Sequence, residues 1–233
     1  MLKLKPNAEI RKAIARAGLN ANFDMLETRL AGQKKITNSD LEALEGDVIE
    51  IDEPRWWNLA ELASLAGLSV EAAVQPELAD HEFWLIQFGL SIAPAPGHLL
   101  DWARFMVKVE TTDGGAVPSI HSLFPGRPSR SNGCIAVARN FQFVSCDAAT
   151  QALAEIEMRP KEDASITGIL KANRLTWDLN GVSSYVTTYA IVRKKRTDQL
   201  RAEFSFHARL KIKGAEYAAA AQNWTMGGKV YVF

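Results

Sequence analysis

This chain lacks most of the features that announce a compartment or a chemistry. No stretch approaches the roughly 20 consecutive apolar residues of a membrane-spanning helix. Neither sign of charge is in excess, with 27 Lys and Arg against 27 Asp and Glu. A global basic field, the footprint of nonspecific phosphate binding, is therefore missing, and nucleic acid is not the favoured partner. Cysteine is scarce. Cys134 and Cys146 make neither a disulfide framework nor a zinc-ligand pattern, and are expected to be reduced, small buried residues. The opening Met1 to Pro6 and the charged sequence after it hold no apolar core of signal-peptide length, so a cytoplasmic chain is expected. The tail Tyr231-Val-Phe233 ends in an aromatic, as outer-membrane strands do. That reading is set aside for want of a leader and of enough strands.

What is present is ordinary globular material. The chain has 233 residues, 47% of them hydrophobic and 23% charged, and a chain of this length buries enough surface to fold without staples. The first third reads as helical. Ile10, Ala13, Ile14 and Ala17 recur at helical spacing and stop at Gly18. Phe23, Leu26 and Leu30 make a second stripe ending at Gly32. Ser39-Asp-Leu-Glu42 is a capping box, and Asn58-Leu-Ala-Glu61 a similar start for a helix through Ala66. Val48 to Ile51 reads as a short strand or connector. The sequence Leu62-Ala-Ser-Leu-Ala-Gly-Leu-Ser69 has the form of a helix-turn-helix corner, with Gly67 at the turn and Val70 to Gln75 as the second helix. That helix carries Glu71, has no Arg or Lys and meets Pro76, which makes it a poor reader of a DNA groove. A helical corner packed on the rest of the chain is the preferred reading. A DNA-binding regulator using residues 58–75 stands as an alternative.

From about residue 80 the period changes to two. Over 200–213 the even residues Leu200, Ala202, Phe204, Phe206, Ala208, Leu210 and Ile212 are apolar. The odd residues Arg201 to Lys213 are polar, which fills one face of a strand and wets the other. Phe83 to Ile92, Trp102 to Val109, Ile135 to Val144, Ile166 to Leu179, Tyr185 to Arg193 and Val230 to Phe233 read as further strands separated by turn clusters. Asn180-Gly181 reads as a hairpin joining 174–179 to 182–193. Thr150 to Met158 and Glu216 to Ala221 are assigned short helices. The expected architecture is mainly β within the α+β class: a small helical N-terminal subdomain (1–76) followed by a two-sheet antiparallel β-sandwich (80–233).

No nucleophile elbow, phosphate-cradling loop, dinucleotide fingerprint or zinc-binding His-Glu motif occurs. Cofactor and metal sites are accordingly not assigned. A cysteine-dependent hydrolase pairing Cys134 with His98 or His121 is weighed and set below the reading of buried cysteines. Asp101, Asp113, Asp147, Asp163 and Asp178 fall near turns, where turn chemistry accounts for them without calcium. Two surface features remain. Trp56 and Trp57 form an aromatic pair able to anchor a partner. Arg193, Lys194, Lys195 and Arg196 form a basic run, read as a hairpin tip that joins Arg201, Arg209, Lys211 and Lys213 in a basic surface. These six, the two tryptophans and the four cations of the run, are the candidate contact residues.

Three segments together carry a family likeness. They are the Phe- and Trp-rich strand that closes on Pro94-Ala-Pro-Gly97 and leads to Trp102-Ala-Arg-Phe105, the stretch Val117-Pro-Ser-Ile-His-Ser-Leu-Phe-Pro125, and Leu175-Thr-Trp-Asp-Leu179. Over about residues 80–213 the chain resembles β-rich modules associated with bacterial conflict and anti-phage defence systems. The resemblance implies a non-enzymatic role, sensing a trigger or coupling to an effector, and supplies no catalytic residues. The expected function is an intracellular protein-interaction module, an adaptor or regulator acting on a protein partner or by self-association.

Overall fold

The computed structural model describes residues 1–4, 13–18, 20–21, 48–93, 98–112, 114–126, 134–149, 151–157, 165–181, 185–212 and 215–224. The described chain is mostly strand, arranged in three sheets. The elements are β1 (Leu2–Leu4), β2 (Ala13–Gly18), β3 (Asn20–Ala21), β4 (Val48–Asp52), β5 (Arg55–Asn58) and helix α1 (Leu59–Leu65). There follow β6 (His81–Ala93), β7 (His98–Thr111), β8 (Ser119–Phe124), β9 (Cys134–Ala138), β10 (Phe143–Ser145) and β11 (Ala152–Glu157). The last are β12 (Ser165–Lys171), β13 (Arg174–Asn180), β14 (Tyr185–Lys195), β15 (Leu200–Ile212) and β16 (Ala215–Trp224).

The outer sheet runs β12-β13-β7-β15-β16-β3 and the middle sheet β2-β4-β6-β14-β8, with β5 also on β6. A small sheet, β1-β11-β9-β10, is antiparallel except where β1 pairs with β11. The middle sheet is buried on both faces. Ile86, Phe88, Leu90 and Ile92 of β6 meet Phe105, Val107, Trp177, Phe204 and Phe206 of the outer sheet. On the opposite side Phe83 and Leu85 meet Val137, Leu153 and Ile156 of the small sheet, with Leu59 and Ala63 of α1. Two-sided burial explains why Phe83 to Ile92 reads as a nearly continuous apolar run. β15 instead has one wet face, and Leu200, Phe204, Phe206 and Ala208 are buried as their alternation requires. Thus the expected antiparallel sandwich is present, with a third layer laid across its middle sheet.

Several local expectations are corrected. Ala13–Gly18 is a strand paired with β4; its alanines satisfy both periods, and sheet pairing overrides helix propensity. Ala152–Glu157 and Ala215–Trp224, assigned helices, are strands that pair with β9 and β15. Asn180-Gly181 joins no hairpin: β13 lies in the outer sheet and β14 in the middle one, so the chain crosses between layers there. The tight hairpin falls instead between β12 and β13, at Ala172 (φ 50°) and Asn173. The strands described before residue 76 are bonded into the sheets of the later chain, β4 and β5 to β6, β1 to β11 and β3 to β16, so the two expected units share their sheets. The helical stripe over 22–32, the capping box at 39–42, the Pro94 to Gly97 turn and the strand at 230–233 lie outside the described residues. Helix α1 forms as read. The Asn58 side chain accepts hydrogen bonds from the amides of Ala60 (3.0 Å) and Glu61 (3.3 Å), satisfying donors at the helix start.

Candidate functional site

The candidate residues are dispersed by the fold. Trp56 and Trp57 lie on β5, opposite Ile86 and Leu85 of β6. Neighbouring residues of a strand face opposite ways. Trp56 therefore packs into the core against the outer sheet and Trp57 into the core beneath the small sheet. Both indoles are half-buried, and they do not share one surface.

The basic run is not a hairpin tip, because β14 and β15 belong to different sheets. Its cations hold the 3-10 turn Gln75–Ala79 against the end of β14. Arg193 donates to Glu77 and to Ser119 Oγ at 3.0 Å. The buried Lys194 ammonium meets Glu82 at 2.9 Å and the Asp198 carbonyl at 2.8 Å. Arg196 donates to the Leu78 carbonyl at 2.7 Å and lies 3.8 Å from Glu82. Burial opposes ionisation of Glu82, yet hydrogen bonds from Lys194 and Trp84 and the charges of Lys194 and Arg196 hold its carboxyl below the ordinary range. Of the four, Lys195 alone is without such a commitment. The cationic run was legible in sequence; its distant carboxylate and carbonyl partners were not. The side chains of Arg209, Lys211 and Lys213 lie outside the described residues.

Cys134 and Cys146 form a disulfide across the open end of the β9–β10 hairpin, with Cα atoms 5.4 Å apart. This corrects the expectation of reduced thiols. It also removes the nucleophile of the hydrolase reading, since the Cys134 sulfur is engaged. Register explains the pairing: Ser145 lies opposite Ile135, which brings the flanking residues together. His121 is occupied elsewhere. The Gln142 amide donates to its Nε2 at 2.8 Å, and its ring meets the Phe83 edge at 5.1 Å. The His98 side chain lies outside the described residues. Asp178 receives a two-pronged bond from Arg104 (2.7 and 3.0 Å), and no group of three or more His, Cys, Asp or Glu suited to a metal occurs among the described residues. A pocket of about 270 Å³ beside the disulfide is lined by Met1, Leu68, Ala136, Cys146, Gln151 and Glu155 among others. The helix-turn-helix reading loses its second helix. After Gly67 (φ 66°) residues 68–71 have no regular structure, Leu68 and Val70 pack on the second core, and a short turn over 72–74 leads into the Gln75–Ala79 3-10 turn.

Two arrangements were not foreseen. The first lies at the edge of the outer sheet. Ile169 and Leu170 of β12 are 39% and 41% exposed. The next residue, Lys171, stands opposite Arg174, which stands opposite Lys108. Lys108 is paired with Glu110, whereas Lys171 and Arg174 make no ion pair with any described residue. Like charges directly across strands oppose pairing, so this row is maintained at a cost.

The second is a polar field on the middle sheet, on the face that the small sheet covers nearer His81. Register aligns Glu50, Ser91 and Tyr185 in one row, Gly89 and Thr187 in the next, and Arg55, Gln87 and Tyr189 in a third. Asp52 and Gln87 are buried. A Cβ on Gly89 would lie 2.5 Å from both Asp52 Oδ2 and Tyr185 Oη, so the bare backbone makes room for both polar atoms. The hydroxyls of Thr187 and Tyr189 are buried without a hydrogen-bond partner. Burial, aided by Tyr185 and opposed by Arg55, pushes the Tyr189 phenol well above its ordinary value. Sequence alone signalled this field only as polar residues scattered through apolar strands.

The fold defines a mainly antiparallel β protein of three packed layers, and among the described residues no helix is long and apolar enough to cross a membrane. No protein-family model and no curated protein matches the chain. Among solved structures, Clostridium perfringens delta-toxin aligns with 74% of this chain and 79% of its own, at 7% identity and a TM-score of 0.40.

Proposed function

We propose that this chain is a non-enzymatic recognition module that engages a protein partner at the β12–β13 edge of the outer sheet. One observation carries the reading: on the edge strand Ile169 is exposed on the same face as Lys171 and Arg174, two cations with no ion pair, while Leu170 is exposed on the other face. Edge strands offer free backbone donors and acceptors, and a partner segment adds to them as a further strand. The cations favour a segment bearing carboxylates, and the aliphatics supply apolar contact. The likeness over residues 80–213 extends this to an adaptor or regulator in a bacterial defence system. The disulfide bears on compartment, since such bonds persist in oxidising surroundings. It weighs against the cytoplasmic location expected from the sequence, and trapping free thiols at the moment of lysis decides between the two.

The test compares the wild-type chain with Lys171→Glu/Arg174→Glu and Ile169→Lys/Leu170→Lys variants in quantitative affinity capture from native lysate. Sedimentation velocity of the isolated chain runs alongside. A partner retained by the wild type and lost by both variants supports the reading, as does self-association abolished by both. Identical recovery by all three chains, with every chain monomeric, overturns it.

A further inference from the structure

We propose that the Cys134–Cys146 bond is a site of reversible thiol exchange, attacked at Cys146 through the pocket beside it, and that its reduction opens one corner of the small sheet while the rest of the fold stands. Access comes first. Both cysteines are half-buried, and Cys146 lines the pocket of about 270 Å³. That volume is far more than one water needs. Gln151, on the same pocket, is exposed, so the space reaches solvent. Cys134 is not among the lining residues. A disulfide exchanges where a thiolate can approach one of its sulfurs, and access decides which sulfur is attacked.

The exchange runs in two steps with a small thiol such as glutathione as reductant. Its thiolate attacks the Cys146 sulfur and the sulfur–sulfur bond breaks. The electron pair leaves on Cys134, which takes a proton from water. Cys146 now carries the reductant as a mixed disulfide. A second thiolate attacks the reductant's sulfur and releases Cys146, which is protonated in turn. The two reductant molecules depart as their own disulfide, and two electrons have passed to the protein.

What the bond holds is local. β10 pairs with β9 over three residues and stops at Ser145, opposite Ile135. Beyond that rung the Cys146–Ala148 turn has no side-chain cap. The disulfide is thus a covalent tie placed where the ladder ends. The other end of the hairpin is held without it. There the Phe141 amide donates to the Ala138 carbonyl at 2.9 Å, and the Ala138 amide to the Gln142 carbonyl at 3.0 Å. Phe143 packs on Phe124, with ring centroids 5.7 Å apart. Cutting the bond therefore loosens residues 144–149 and leaves the closed end and the second core in place. Cys146 and Ala149 form part of the pocket wall, so the pocket widens when they are released.

The experiment uses the full oxidised chain under native conditions, with glutathione and dithiothreitol as probes. Thiols are trapped with N-ethylmaleimide at timed intervals and counted by mass spectrometry. Reduction is expected in proportion to thiol concentration, and its rate in about 1 M urea stays within about twofold of that in buffer. Passage through global unfolding would raise the rate about thirtyfold instead. The chains Cys134→Ser and Cys146→Ser, each with a single thiol, show which sulfur is open. Cys146 in the first takes glutathione from its disulfide about tenfold faster than Cys134 does in the second. Amide exchange in the reduced wild type rises over 144–149 and not over Phe83 to Ile92. Any of four results overturns the proposal: no reduction short of denaturing urea, a rate that climbs with urea as unfolding does, Cys134 reacting as fast as Cys146, or protection lost across Phe83 to Ile92. None of them touches the β12–β13 edge, so this proposal and the preceding one fail separately.

Discussion

Gly168 of β12 lies so close to the backbone carbonyl of Pro125 that a methyl group there would overlap the oxygen and the nearby Leu123 side chain. The contact joins an edge of the outer sheet to the end of β8 in the middle sheet. A backbone atom cannot step aside as a flexible side-chain end does. Gly168→Ala is therefore expected to cost about 1–3 kcal/mol, the usual range for overpacking. Urea unfolding checks this. An unchanged midpoint would mean that the two edges are not in contact.

Lys194 is buried, and its partner Glu82 is partly exposed, its side chain 20% so. Removing one member of such a pair leaves the other charge uncompensated, and Glu82→Gln is expected to cost roughly 3 kcal/mol at neutral pH. The Glu82 carboxyl titrates below its ordinary value. Its contribution is thus complete above the unfolded pKa of about 4.3 and is lost as pH falls through the lowered folded value. The stability gap between wild type and variant should narrow across that acidic window. A gap independent of pH would contradict the pairing.

The Cys134–Cys146 bond closes a loop with a sequence separation of 12 residues. Loops of that size constrain the unfolded chain by roughly 3 kcal/mol. Adding reductant, or replacing both cysteines with Ser, should lower the unfolding midpoint accordingly. Mass spectrometry after alkylation gives the direct check. Two alkylated cysteines in native, unreduced protein would show that the bond is not made.

Phe204 sits between Phe88 and Phe105, with ring centroids 6.1 Å from each. Phe204→Ala opens a cavity between the outer and middle sheets and should cost about 3–5 kcal/mol. Trp177, equally buried, carries an Nε1 with no partner. Trp177→Phe removes that orphan donor along with part of the ring, so it should cost distinctly less than Phe204→Ala. Denaturant titration of the two variants compares them directly, and the reverse order would count against the packing described.

Legibility followed how locally each feature is encoded. The β15 alternation, the β6 apolar run and the Asn58 cap are properties of short segments, and each was readable from the chain. The strands at Ala152–Glu157 and Ala215–Trp224 were misread because alanine and glutamate favour helices, while pairing with β9 and β15 is a long-range fact. The candidate contacts suffered likewise. A cationic run looks free until Glu77, Glu82 and the Leu78 carbonyl are placed against it. A tryptophan pair looks like one patch until the strand sends its members to opposite faces.

Sequence by itself determined that this protein would be mainly antiparallel β, because a period of two gives each strand one apolar side that must find cover. Tertiary structure decided the rest. It laid a third sheet on the back of the second, bonded two cysteines that spacing left unpaired, and spent the basic run on internal ion pairs. It also brought Asp52, Gln87, Thr187 and Tyr189 onto one face of the middle sheet. The reason is physical: burial and strand periodicity act within a few residues, whereas register, layer contacts and polar convergence join residues that lie tens to more than a hundred positions apart.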